Sequence, residues 1–402
     1  MSLYNDHRQT TSGHGTGSLY YPDEIKNDLD AVDLPQSIKN EVLTCAYQYT
    51  RCVIPNYCNR RRYFAFIRAV LIATIAEFRG ELVDITTGDH VLGHSIEKLM
   101  RDIFENTGVQ NAMSREFRTF LLFTADKTSD RRDGELYGRY RTALAFSPEQ
   151  WFRMRDADAL VRFSIAAALA CNDRNVACWT GKFEVLAEIA ITLYDAVAFR
   201  KHKTEGEICS TFAYVPCQDR TEAFRRARDV LWSLDANSDL EDTRIVINFI
   251  RALGGPIHMT MHRYRFVEED LTIGRPENDE VKALAHQNAK LWFRDDRSGS
   301  LLANDRRYKY VLSQHKQLLF SGLGKILVDS RNTACLQCRQ TRTVNDGGSH
   351  LCEGCERVWR LYLKKLPARL LSTFPVHMAG HNIRNRADTH ERSNEDLQIS
   401  VL

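Results

Sequence analysis

The sequence predicts an all-α protein, and three observations carry that expectation. Between residues 36 and 325, apolar side chains recur at helical spacing without period-2 alternation. Proline is scarce, with nine in 402 residues. Turn signals fall between the periodic runs rather than inside them. In chain order, helices are expected over 36–51, 62–84, 95–105, 112–126, 133–145, 148–170, 182–204, 220–235, 243–253, 256–271, 279–293 and 305–325. Pro35 opens the first, Ser147-Pro148 starts the sixth, and Asn172-Asp173 ends it. Gly254-Gly255-Pro256 and Gly274-Arg275-Pro276 bracket the tenth. The expected organisation is a polar tail over 1–20, a helical body over 21–328, a cysteine-rich module with a short helix over 329–375, and a polar tail over 376–402.

Composition narrows the function classes. With 43% hydrophobic and 10% aromatic residues the chain can bury a large core. A net charge of +3 from 55 basic and 52 acidic residues lacks the concentrated positive field of a nucleic-acid binder, so no nucleic-acid partner is expected. The N-terminus "MSLYNDHRQTTSGHGTGS" is Gly/Ser/Thr-rich, has neither the basic nor the apolar region of a secretory signal, and is expected to be disordered. The longest apolar run is interrupted by Arg68 and Glu77, so no membrane span is expected. Seven of the eleven cysteines are scattered and four are clustered, a pattern that suits a reducing cytoplasm.

The expected helix over 62–84 carries the most pointed signal. At 100° per residue, Ile67, Leu71, Ile75, Phe78 and Leu82 form one stripe. Phe66, Val70, Ala73, Glu77, Glu81 and Asp84 form another, which begins apolar and ends acidic. The plain reading is a helix leaving the core for water. The alternative is a helix lining an apolar cavity with an acidic mouth. Carboxylates at i, i+4 and i+7 repel one another unless a cation sits among them. Mg²⁺ is suited to this, because it uses one or two carboxylates and takes further ligands from a phosphate. A metal–diphosphate site is the resulting expectation.

Such a site also needs cationic donors for the remaining phosphate oxygens. Arg153, Arg155 and Asp156 in "WFRMRDADALVRF", Asp195, Lys201, His202 and Glu205 in "YDAVAFRKHKTEGE", and Arg263, Tyr264 and Arg265 in "HMTMHRYRFVEED" are the candidates. Each is weak alone, because charged helix ends are usually solvated. His258 and His262 share an i, i+4 spacing, but without a third ligand they read as packing histidines. Thr124 to Arg141 is the densest charge mixture in the chain, reading as a solvated loop and helix start or as a lid over an anionic substrate.

Five strings, "YTRCVIPNY" (Tyr49 to Tyr57), "AEFRGE" (Ala76 to Glu81), "ADK…RRDGEL", "YDAVAF.KH..EGE" and "GGPIHM.M.RYRFVEE", together with the C-terminal cysteine pairs, closely resemble the fungal α-ionylideneethane synthase family of abscisic-acid biosynthesis. The resemblance spans nearly the whole chain beyond the N-terminal tail. More distantly the chain resembles class I terpene synthases, whose metal-binding carboxylates rim an apolar barrel of helices. The resemblance implies a sesquiterpene synthase acting on farnesyl diphosphate with Mg²⁺. Glu77 and Glu81 stand where those enzymes carry an aspartate-rich motif. Of the Asn-Asp…Ser…Lys-Glu set, Asp195 and Lys201 remain, with Tyr194, Ala198 and His202 at the altered positions, and Glu205 and Glu207 offer substitutes. The diphosphate-sensing Arg with Asp three residues on matches Arg153 and Asp156, and the late Arg-Tyr pair matches Arg263 and Tyr264. The implied assignment is Mg²⁺ on Glu77, Glu81 and Asp195, and diphosphate on Arg153, Lys201, Arg263 and Tyr264. Deprotonation and reprotonation of a farnesene-type triene, then closure of a six-membered ring, complete the implied sequence, with His202, His258, His262, a tyrosine or the diphosphate as proton carrier.

"CLQCRQTRTVNDGGSHLCEGC" reads C-x2-C-x13-C-x2-C through Cys335, Cys338, Cys352 and Cys355. Two such pairs supply a closed tetrahedral zinc shell, which is structural because it leaves no open coordination position. The rival reading of the whole chain is a non-enzymatic helical scaffold whose zinc ribbon binds nucleic acid or protein, with Arg339, Arg342, Arg357 and Arg360 as its contacts.

Overall fold

The computed structural model describes residues 20–144, 147–199, 202, 210–215, 219–236, 240–255, 301–333, 335 and 351–375. Within them, α1 spans Gln36–Val53, α2 Arg60–Ala76, α3 Ile96–Phe104, α4 Gln110–Lys127 and α5 Glu135–Leu144. Next come α6 Pro148–Asp158, α7 Val161–Cys171, α8 Phe183–Val197, α9 Arg220–Ala236 and α10 Glu241–Leu253. The last are α11 Leu301–Ser313, α12 His315–Leu318, α13 Leu323–Thr333, α14 Glu353–Lys364 and α15 Leu366–Thr373. Among the described residues the only strands are His90–Val91 and His94–Ser95, a two-residue antiparallel pair. The all-α expectation holds. Helix α13 runs across residues 328 and 329, where the sequence suggested a module boundary, and the helices expected over 256–271 and 279–293 lie outside the described residues.

Helix α7 is the hub. All of it except Arg162 is buried, and it packs on α2, α3, α4, α6, α8 and α10. Its run of small residues, Ala166, Ala167, Ala168 and Ala170, lets the surrounding helices approach closely. Phe66, Phe104, Phe117 and Phe163 fill the space between α2, α3, α4 and α7.

The run expected over 305–325 divides into α11, α12 and α13, and two further expected helices are broken, each for a local reason. The run over 148–170 divides at Leu160, which takes a left-handed conformation with φ of 51°. Asp156 holds the break, because its carboxylate accepts the Arg162 backbone N–H (2.9 Å) and ion-pairs with the Arg162 guanidinium. An acid beside the first N–H groups of a helix satisfies donors that have no partner within it.

The run over 62–84 ends at Ala76, with a 3₁₀ turn over Gly80–Leu82. Thr128 Oγ1 donates to the Ala76 carbonyl (2.6 Å), and Arg131 donates to the Gly80 carbonyl (2.8 Å). At Gly80 the backbone presses on α4 so tightly that a Cβ would stand 2.2 Å from the Ala125 carbonyl oxygen. Glu77 caps α2, while Glu81 lies in the 3₁₀ turn, exposed and ion-paired with Arg79. The acidic stripe of a continuous helix is therefore absent.

Candidate functional site

The C-terminal ends of α2, α4, α6 and α8 are linked in series at one end of the body. Thr128, just past α4, bonds to the last carbonyl of α2. Lys127, the last residue of α4, lies 3.8 Å from Asp158, the last residue of α6. Arg155, one turn back on α6, ion-pairs with Asp158 and donates through Nη2 to Asp195 Oδ1 on α8 (3.0 Å). The other Asp195 oxygen accepts from the Thr211 backbone N–H (2.7 Å) and hydroxyl (2.9 Å). His202 Nδ1 stands 3.9 Å from Asp195 Oδ1, and the Tyr194 ring lies 5.8 Å from the imidazole.

Electrostatics explain the pairing. Helix C-termini carry partial negative charge, which favours Lys127 and Arg155 there and penalises Asp158 and Asp195. Asp195 is fully buried, so desolvation pushes its pKa up, while Arg155 and Thr211 oppose that rise. Two cations against two carboxylates make the series charge-balanced, with every member well shielded from water.

A second ionic cluster stiffens the same end. Buried Asp126 on α4 pairs with Arg131 (2.8 Å) and Arg307 of α11 (2.9 Å). Arg307 also holds Asp84 (2.9 Å) and the Thr86 hydroxyl (2.7 Å). Burial raises the pKa of Asp126 against the pull of its two arginines. At Asp84 burial also acts upward, but Arg307 and Thr86 outweigh it and hold the carboxyl below its usual range. Asp84, the third acid of the expected stripe, is thus a partner of Arg307. The start of the charge-dense segment is not a solvated loop, since Asp126, Thr128 and Ser129 are all buried.

The predicted site residues divide. Asp195 is at the centre. Arg153 points elsewhere, making a bidentate pair with Glu116 of α4 and lying 3.7 Å from the Phe320 ring centroid. Asp156 serves the α6–α7 break. The Arg-x-x-Asp spacing occurs twice in "RMRDAD", and the pair that meets Asp195 is Arg155–Asp158. Lys127 lay within a segment the sequence singled out, but nothing in the sequence marks Thr211 or Arg307. Lys201, Arg263, Tyr264 and Cys338 lie outside the described residues, as do His258, His262, Glu205 and Glu207. Glu77, Glu81 and Asp195 do not form a ready three-carboxylate cage. Among the described residues, the one group of three such ligands with all donor atoms within 4.8 Å is Cys335, Cys352 and Cys355.

The sulfurs of Cys335 and Cys352 are 3.9 Å apart. Tetrahedral Zn–S bonds of about 2.3 Å imply sulfur spacings of about 3.8 Å, so the donor set fits zinc.

Fold and site define the class first: an all-α protein whose helix C-termini close on a desolvated ionic centre. A family model described as "Alpha-ionylideneethane synthase aba3" matches residues 17–376. An "Alpha-ionylideneethane synthase aba3" of Botryotinia fuckeliana is 48% identical over 367 residues, covering 89% of this chain and 83% of its own. An "Alpha-ionylideneethane synthase abl3" of Leptosphaeria maculans is 48% identical over 365 residues, covering 89% of this chain and 85% of its own. One from Pyricularia oryzae is 43% identical over 428 residues, covering 89% and 83%. The chain belongs to the α-ionylideneethane synthase family, a family of terpene synthases. Among the described residues no helix is long and apolar enough to cross a membrane.

Proposed function

We propose that the protein is a Mg²⁺-dependent sesquiterpene synthase that converts farnesyl diphosphate to α-ionylideneethane or a closely related farnesene or allofarnesene. The observation that carries this reading, beside family membership, is the Lys127–Asp158–Arg155–Asp195 series next to the end of α2, where Glu77 stands. Ionisation breaks the C–O bond, the diphosphate leaves with the electron pair, and an allylic cation remains. Arg155, fixed by two carboxylates, and Lys127 face the growing negative charge without reorganising, which is the most effective form of electrostatic stabilisation. Lys201, Arg263 and Tyr264 complete the diphosphate contacts on this reading, and Arg155 takes the sensing role that the resemblance to class I terpene synthases implied for Arg153. Asp195 works from behind, by orienting Arg155.

The acids suit a metal that arrives with its substrate. Mg²⁺ needs only one or two carboxylates when phosphate oxygens supply other ligands, and Glu77 and Glu81 are those we assign. When bound, the ion neutralises charge on the departing diphosphate. Among the described residues His202 lies beside Asp195, which makes it our choice for accepting and returning the proton. Cys335, Cys352 and Cys355, with Cys338, hold a structural zinc ion on this reading, and elemental analysis is expected to find one zinc per chain. A well-folded preparation free of zinc would remove the zinc site. We place the enzyme in the cytoplasm. Incubation with farnesyl diphosphate and Mg²⁺, followed by gas chromatography–mass spectrometry, is expected to yield a C15 hydrocarbon. No hydrocarbon with or without Mg²⁺ refutes the function.

A further inference from the structure

Trp359 lies on α14, one turn beyond Cys355, so both occupy one face of the helix. The indole is buried and touches two separate elements. It lies 5.2 Å from Trp151 and 6.1 Å from Phe152, both on α6. It also stacks on Tyr214, with centroids 5.0 Å apart and planes 10° from parallel. Trp151 and Tyr214 also meet edge-on, closing a three-ring cluster.

These elements supply both donors to Asp195. Arg155 stands four residues after Trp151 on α6, and Thr211 stands three residues before Tyr214, at the start of the 3₁₀ turn Thr211–Ala213. We infer that Trp359 is a positioning residue: anchored by the cysteine module, it wedges α6 against the 210–215 segment and so holds Arg155 and Thr211 on the two oxygens of Asp195. The relevant energies favour this. Aromatic pairs stabilise their contact beyond area burial alone, whereas the short 3₁₀ turn has little intrinsic stability of its own. Two salt links, Arg360–Asp219 and Arg369–Glu188, pin α14 and α15 to the body. The C-terminal module is thereby a support of the catalytic end as well as a cap on the chain. The structural part of this inference stands without the proposed function, while its effect on turnover rests on that reading.

Hydrogen exchange on the full-length protein tests the structural part whatever the substrate. In Trp359→Leu, exchange over residues 210–215 is expected to rise about tenfold or more while α2 and α7 keep their protection. Trp359→Phe is expected to restore most of it. If Trp359→Leu opens the whole body, Tyr214→Leu cuts the same contact from the other ring. Unchanged protection at 210–215 in Tyr214→Leu overturns the inference. In turnover of farnesyl diphosphate, Tyr214→Leu and Thr211→Val are each expected to lower kcat about tenfold with KM little changed, and the double variant to be no worse than either alone. Additive losses also overturn it. Wild-type protein that forms no product refutes the proposed function instead and leaves the exchange result to decide the structural claim.

Discussion

Gly80→Ala tests whether the end of α2 is set by its contact with α4. A Cβ at residue 80 would lie 2.2 Å from the Ala125 carbonyl oxygen and 2.5 Å from Thr128 Oγ1. The carbonyl cannot retreat easily, because it belongs to a buried helix and accepts a 2.7 Å hydrogen bond from Ser129 Oγ. The 3₁₀ turn must therefore move by about an ångström to regain van der Waals separation. That movement breaks the bonds from Arg131 to the carbonyls of Gly80 and Val83, now 2.8 and 3.1 Å. Overpacking of this kind costs about 1–3 kcal/mol, enough to lower Tm by several degrees. It also displaces the turn bearing Glu81, and a misplacement of about 1 Å near reacting groups can cost about a hundredfold in rate. Thermal unfolding followed by circular dichroism and turnover of farnesyl diphosphate measure the two effects. A variant with wild-type Tm and wild-type turnover would refute the packing argument.

Glu77→Gln keeps the cap of α2 and removes a charge, so we expect turnover to fall about a hundredfold with Tm unchanged; full activity in steady-state assays removes Glu77 from the metal site. Glu188 on α8 pairs with Arg369 of α15, yet burial pushes its pKa from 4.5 up to about 7, with Arg369 opposing the rise. The folded state then binds more protons than the unfolded one, so this group makes stability fall as pH rises from about 4.5 to about 7, by roughly 3 kcal/mol, and adds no further change above that. Denaturant titrations across that window should show a shallower slope in Glu188→Gln, and an identical slope would show that Glu188 is ionised throughout.

The helical class was legible because an amphipathic period persists whatever a helix packs against. Element ends were not, and the reason is tertiary. Nothing in "IAEFRGELVD" announces that Gly80 must fit under Ala125, so a wheel drawn through Glu81 and Asp84 treats a turn as helix. The same limit applied within the site. Arg153 and Arg155 are chemically alike and both sit three residues before an aspartate, and the choice between them depends on which face of α6 meets α8. Asp195 was found from a motif resemblance, whereas Thr211 and Arg307 reach the site through contacts between distant parts of the chain. The cysteine spacing was readable because metal geometry itself constrains it.

That choice between two arginines also offers the sharpest test of the proposed centre. In farnesyl diphosphate turnover with Mg²⁺, Arg155→Met is expected to lower kcat by about a hundredfold or more, as loss of a preorganised charge at a departing anion does. Arg153→Met, which unpairs Glu116 at a distance from Asp195, is expected to lower Tm while folded enzyme keeps turnover within about tenfold of wild type. The opposite ranking, with Arg155→Met active and Arg153→Met folded but inactive, would contradict the assignment of the Lys127–Asp158–Arg155–Asp195 series as the diphosphate site.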